Sequence, residues 1–214
     1  MKKKSLLFAK YISYLFHPIL MPTIGLIYLY LSKKVNHFNL YSSLDQQQDN
    51  IMIFAVTTTF SLLIPAILIY YLKSINKINS YQMSQKEERL LPFSLMFLCF
   101  FAAYYLLFDY GNIQAEPIIK IFFFGCLLSV LFALIITFKW KISVHMIGIG
   151  GLTGAVFLVH QIVKVDQLPA LIITILTAGL IGYSRLTLNA HSLKQVAAGY
   201  LLGFFCETCF LFFI

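Results

Sequence analysis

Residues 117–138 read PIIKIFFFGCLLSVLFALIITF and run straight into Lys139-Trp140-Lys141. One cation, Lys120, interrupts a stretch of the length that crosses a hydrocarbon core of roughly 30 Å as an α-helix, about 20 residues. The closing triplet sets an aromatic ring between two lysines, the usual anchor at a headgroup boundary. This stretch makes lipid the solvent for at least part of the chain.

The rest of the chain agrees. Of its 214 residues, 60% are apolar and 11% charged, whereas a globular domain carries about 25% charged residues. A soluble fold of this length buries only roughly 70% of its unfolded surface, too little to hide so apolar a chain. Windows of membrane length predict a single all-α domain over 1–214, a polytopic integral membrane helix bundle of seven transmembrane helices. These are 6–31, 51–72, 91–108, 117–138, 143–162, 168–183, and a seventh from His191 to the C-terminus. Met1-Lys2-Lys3-Lys4 and the apolar run behind it resemble a signal sequence, but no A-x-A site ends the run, which reads as a retained first helix kinked or broken at Pro18 and Pro22.

Assigning loops to faces by parity puts 12 basic residues on the N-terminal side and 4 on the other. By the positive-inside rule the N-terminus is expected in the cytoplasm, with the protein in the plasma (bacterial-type inner) membrane. The net charge of +8 is then explained by topology and anionic membrane lipids, and no nucleic-acid partner is expected. Cys99, Cys126, Cys206 and Cys209 all lie in apolar runs, so Cys206-x-x-Cys209 reads as packing rather than as a metal or redox site.

Ionisable groups near membrane depth need a reason. The chain has only two arginines, Arg89 and Arg185, and parity places both on the N-terminal face with His145 and His191, which open the fifth and seventh helices. Arginine's planar fork grips phosphate oxygens. Ser143, a plausible N-cap, sits where a helix start offers free N–H groups to an anion. Histidine acts as nucleophile or general acid near neutrality. Together the four residues read as a site for breaking a phosphate ester.

Those residues also carry a resemblance. Ser184-Arg185, five residues, then His191 resembles the third signature, S-R-x5-H-x3-D, of the type 2 phosphatidic acid phosphatase superfamily. Ser143-Val144-His145 resembles its second, P-S-G-H, and Lys86-Glu87-Glu88-Arg89-Leu90-Leu91-Pro92 its first, K-x6-R-P; His145 and Ser184 stand 39 positions apart, a usual separation. The resemblance implies a six-helix phosphatase-like core within the bundle. It also implies a lipid-phosphate phosphatase acting on a phosphorylated lipid, without metal or other cofactor. His191 would form a phosphohistidine, His145 would protonate the leaving alkoxide, and Arg89, Arg185, Lys86, Ser143 and Ser184 would hold the phosphoryl group.

The departures are specific. Gln195 stands where the family has Asp; four residues after His191 on a helix, it shares that residue's face and could fix the ring's tautomer but not its charge. In the serine-protease triad the corresponding Asp-to-amide change costs about 10⁴ in rate, so Glu87, Glu88 or another acid would have to substitute. Ile142 and Val144 replace Pro and Gly, and two spans rather than one loop separate Arg89 from Ser143. The alternative is therefore a catalytically degenerate relative that binds a phosphorylated lipid or a membrane partner. A transporter is a third class, for which no internal repeat speaks. Gly148, Gly150, Gly151, Gly154, Gly199 and Gly203 read as small-residue helix packing. Glu207, roughly 24 Å along the helix from His191, is placed toward the opposite surface, and His17 and His160 are read as structural.

Overall fold

The computed structural model describes residues 2–32, 44–81, 83, 87–111, 113, 115–162, 164 and 166–212. Their regular structure is all helical, without strands among the described residues. The first apolar run is not one helix. It divides into α1 (Lys2–Leu15), a 3-10 turn (Pro18–Leu20) and α2 (Met21–Leu31). The cause is Pro18, which lacks an N–H and drives His17 into extended backbone, φ −66° and ψ 136°. Pro22 falls in the first turn of α2, where its missing donor costs nothing, so of the two expected breaks only that at Pro18 occurs.

The second run comprises α3 (Leu44–Thr58), a π-turn (Thr59–Leu63) and α4 (Ile64–Ser74). The π-turn lies directly before Pro65, whose ring crowds the carbonyl four residues back. Next come α5 (Glu87–Tyr104) with a π-turn at Tyr105–Tyr110, α6 (Pro117–Thr137), α7 (Val144–Ile162), α8 (Leu168–Thr187) and α9 (Leu193–Thr208) with a 3-10 extension at Cys209–Phe212. Two boundaries move site residues. Arg89 sits inside the first turn of α5 rather than in the loop before it, and Arg185 in the last turn of α8 rather than after it.

Among the described residues six stretches are long and apolar enough to cross a membrane: Lys4–Leu31, Gln48–Ser74, Glu87–Tyr110, Pro117–Thr137, Val144–Ile162 and Leu168–Thr187. At 16 residues, α9 is short of the roughly 20 that a span needs. The outer faces suit lipid. On α8, Ile172, Ile173, Ile175 and Leu176 are each about half exposed or more, a stripe that water would not tolerate on a soluble monomer.

Two packing arrangements set the depth of the site. α2 runs beside α7 in the same direction: Met21 meets Gly148, Gly25 faces Leu152, and Tyr28 Oη donates to Gln167 Oε1 at 2.7 Å, beyond the end of α7. The stretch from Pro18 onward therefore covers the depth of α7, and α1 packs against α8.

The second arrangement is the close pair α7–α9. A methyl group built on Gly150 would collide with the Tyr200 carbonyl, and one on Gly203 with that of Ile147. One on Gly199 would stand 2.6 Å from Ser143 O. Glycines on both helices thus bring backbone against backbone, the contact that small-residue spacing allows.

Candidate functional site

The N-terminal ends of α5, α7 and α9, the C-terminal end of α8 and the break after α1 surround one cavity of about 410 Å³. Arg89, His145, Arg185 and His191 all line it, brought from four separate helix ends. The C-terminal half of α1 adds Lys10 and Ser13 and the break after it His17, none of which a motif had marked. His17, read as structural, is edge-on to His145 with ring centroids 5.5 Å apart. The signal for it was present in the sequence: a histidine before the proline that interrupts a membrane span.

Backbone carbonyls and one hydroxyl hold the charged groups in place. Arg89 is buried; its Nε donates to Met83 O at 2.8 Å and its Nη1 to Ile142 O at 2.9 Å. Two of the fork's five donors thereby tie the start of α5 to the strap before it and to the residues preceding α7. Arg185 is buried too. Its Nη1 donates to Ser13 Oγ at 3.2 Å, while its Nε has no partner among the described residues.

The tautomers follow from the partners. A carbonyl can only accept, so His145 Nε2, 3.1 Å from Ser13 O, carries hydrogen. In the neutral ring its Nδ1 is then an acceptor, and the acid role expected of His145 requires a second proton. For His191 the reasoning passes through Gln195. Gln195 Oε1 accepts the Ser192 backbone N–H at 3.2 Å and must be oxygen. The same atom is 3.1 Å from His191 Nδ1, which therefore bears the hydrogen and leaves Nε2 with its lone pair.

Gln195 does this from a position other than the expected one. Ser192, not His191, caps α9, and Ser192 with Gln195 forms a capping box. His191 stands before the helix, so the two side chains meet through the cap rather than across one turn of helix. Ser-x-x-Gln was legible in the sequence as a helix start.

Burial, and next the charge of Arg89, hold the His191 imidazole down to about 3; the Gln195 bond opposes this, and Arg185 and Lys141 add to it. His191 is thus a neutral base across the physiological range. Burial and the same two guanidinium groups lower the Lys141 ammonium, which places Lys141 in the cluster's field. Of the acids named as substitutes for the missing Asp, Glu88 accepts from the Asn79 backbone N–H at 2.9 Å and is engaged there.

Two expected contributors stand apart from the cavity. Ser184 Oγ donates to Leu180 O within its own helix at 2.9 Å. Ser143 does start α7, its carbonyl accepting from Met146 and Ile147. Its hydroxyl, however, is fully buried without a partner among the described residues and is not in the cavity lining. Lys86 lies outside the described residues. Among the described residues no group of His, Cys, Asp and Glu is spaced to hold a metal ion.

No protein-family model, curated protein or solved structure matches the chain. What fold and site together define is a class: an all-α integral membrane protein with, among the described residues, six helical stretches of spanning length and a cationic, histidine-lined cavity at one end of the bundle.

Proposed function

We propose that the cavity binds the phosphate of a phosphorylated lipid and that His191 attacks it. The observation that carries this reading is the meeting of two buried arginines and a histidine with a free Nε2 on one cavity. Phosphoryl transfer asks mainly for positioning and charge stabilisation. In the reaction, the Nε2 lone pair bonds to phosphorus, the bond from phosphorus to the lipid oxygen breaks, and the alkoxide takes a proton. Water then cleaves the N–P bond and releases phosphate. Arg185 Nε is the donor best suited to a phosphoryl oxygen, being buried and unpaired among the described residues. Positioned carbonyls keep the Arg89 fork beside it. The resemblance of Ser184-Arg185 and His191 to the phosphatase signature supports the same assignment.

A second reading, lipid-phosphate binding without turnover, draws on one observation: Gln195 is committed to a helix cap and brings no charge to His191. One experiment separates the two. Purified protein in detergent is expected to release phosphate from a lipid phosphate without added metal, and His191→Ala to abolish the release. Retention of the lipid without release supports the binding reading; neither binding nor release rejects both.

We place the chain in a bacterial-type inner membrane with seven spans, α9 and its extension being the seventh. The basic residues put the N-terminus in the cytoplasm. Cysteine labelling in intact cells at Ser80 and Gln47 tests the orientation, and reagent reaching Ser80 from outside reverses it.

A further inference from the structure

Below the cationic cavity lies a smaller pocket of about 70 Å³ that shares Pro18, Ile19, Met96 and Val144 with it. The two are therefore neighbours along one path, which runs inward beside the break in the first span. Its lining is otherwise apolar apart from Ser129, Cys126 and one carboxyl, Glu207.

Glu207 does not lie toward a surface as its distance from His191 suggested. It is fully buried, and neither carboxyl oxygen has a hydrogen-bond partner among the described residues. Its neighbours fix its depth. Glu207 packs on Gly154 of α7, ten residues in from Val144 and eight before Ile162, and on Gly125 of α6, eight residues in from Pro117. That is mid-bundle, roughly 15 Å from the cavity end of α7 at the α-helical rise.

Two glycines make the space for it. A methyl group on Gly125 would collide with Glu207 Oε2, and one on Gly154 would stand 2.7 Å from Glu207 Cβ. Among the described residues no Lys, Arg or His lines the pocket to offset a carboxylate. The other titratable groups near it are thiols: Cys126 from α6, and Cys206 and Cys209 from α9 and its extension; α7 contributes glycine. A charge so placed is fully buried and has no counter-ion among the described residues, so the acid form is the one the surroundings allow.

We propose that Glu207 is a membrane-embedded proton-binding carboxyl, held as the free acid and reached from the cationic cavity through the inner pocket. Its ligand is the proton, and the assignment stands whether or not the cavity hydrolyses its ligand.

Carbodiimide chemistry tests this directly. The O–H of a carboxylic acid adds across one C=N bond, oxygen to carbon and proton to nitrogen. Acyl migration then gives an N-acylurea that contains the whole reagent, with nothing lost. Dicyclohexylcarbodiimide, which is apolar, is expected to label Glu207 at neutral pH ahead of the chain's seven other acids, as read by peptide mass spectrometry on unmutated protein in detergent. A water-soluble cationic carbodiimide is expected to spare it. Glu207→Gln removes that adduct.

The route is tested at Gly151, which lines the pocket and whose added methyl would meet only Gly203 O, at 3.9 Å. Gly151→Val is expected to fill the pocket and slow labelling several-fold. An unlabelled Glu207 in the unmutated protein overturns the proton site, and an unchanged rate in Gly151→Val overturns the route.

Discussion

At the cavity, Arg89, Arg185, His145 and His191 each have a backbone carbonyl, hydroxyl or amide oxygen within hydrogen-bond distance. Mid-bundle, Glu207 has none among the described residues, and what surrounds it is the space left by Gly125 and Gly154. Both regions bury ionisable side chains, but by opposite means. At the helix ends the backbone still has carbonyls to spare, and these orient cations without neutralising them. In mid-span every carbonyl already serves its own helix, so a carboxyl there can be accommodated only by volume and by keeping its proton. The first arrangement suits an anion from outside; the second suits a proton.

Both regions hang on the α7–α9 pair, so the largest expected effect comes from separating those helices. In Gly203→Leu the new Cβ falls on the Ile147 carbonyl, which is backbone and cannot move aside. The cost is expected to reach or exceed about 3 kcal/mol. It is read as loss of monodisperse protein or a much lower unfolding temperature, with cavity and inner pocket lost together. Gly179→Leu on the outer face of α8, where an added Cβ meets nothing within 4 Å, serves as the control.

A smaller effect distinguishes the cavity alone. Gln195→Glu keeps the cap, since glutamate serves equally at that place in a capping box, and brings a negative charge to His191 Nδ1. The imidazole is expected to rise from about 3 by about 1–3 pH units, the ordinary effect of an adjacent opposite charge, as followed by NMR titration. Phosphate release is expected to increase if charge on the imidazolium limits it. Gln195→Asp, one methylene shorter, is expected to gain less because it forfeits the cap. A His191 titration unmoved by glutamate breaks the link between Gln195 and the ring.

A third effect is on stability and appears only on acidification. His191 titrates at 6.5 as a free side chain and at about 3 in the fold. Between those values the unfolded chain binds the proton and the folded one does not. Stability from this group is thus present above about 6.5 and is lost as pH falls toward 3. His191→Gln is expected to flatten that window in thermal unfolding between about pH 7 and about pH 4. Acid sensitivity unchanged in the variant would assign it to another group.

Much of this was legible in the sequence. Apolar windows located each of the six spanning stretches to within a few residues, because the bilayer sets a minimum length that sequence cannot disguise. Parity brought Arg89, His145, Arg185 and His191 to one face because loops alternate sides whatever the packing. Misreadings occurred where a residue's setting depends on a neighbour distant in sequence. His17 does cap the 3-10 turn, its Nδ1 accepting from the Ile19 N–H at 3.4 Å, as a structural residue would, but its ring neighbour His145, 128 positions away, was not foreseen. Ser143 and Ser184 looked like ligands by motif, yet neither lines the cavity: Ser143 is fully buried at the start of α7, and Ser184 Oγ donates to Leu180 O within its own helix.

By itself the sequence determined the solvent, the helices, the face on which cations gather, and the break at Pro18. Each of these follows from local composition or from a single residue's covalent geometry. Only the tertiary structure decided which donor of Arg185 is unpaired, and that Glu207 lies at mid-depth beside the path from the cavity. Those properties belong to contacts between helices, and the backbone approach that glycine permits between α7 and α9 sets where the helices meet.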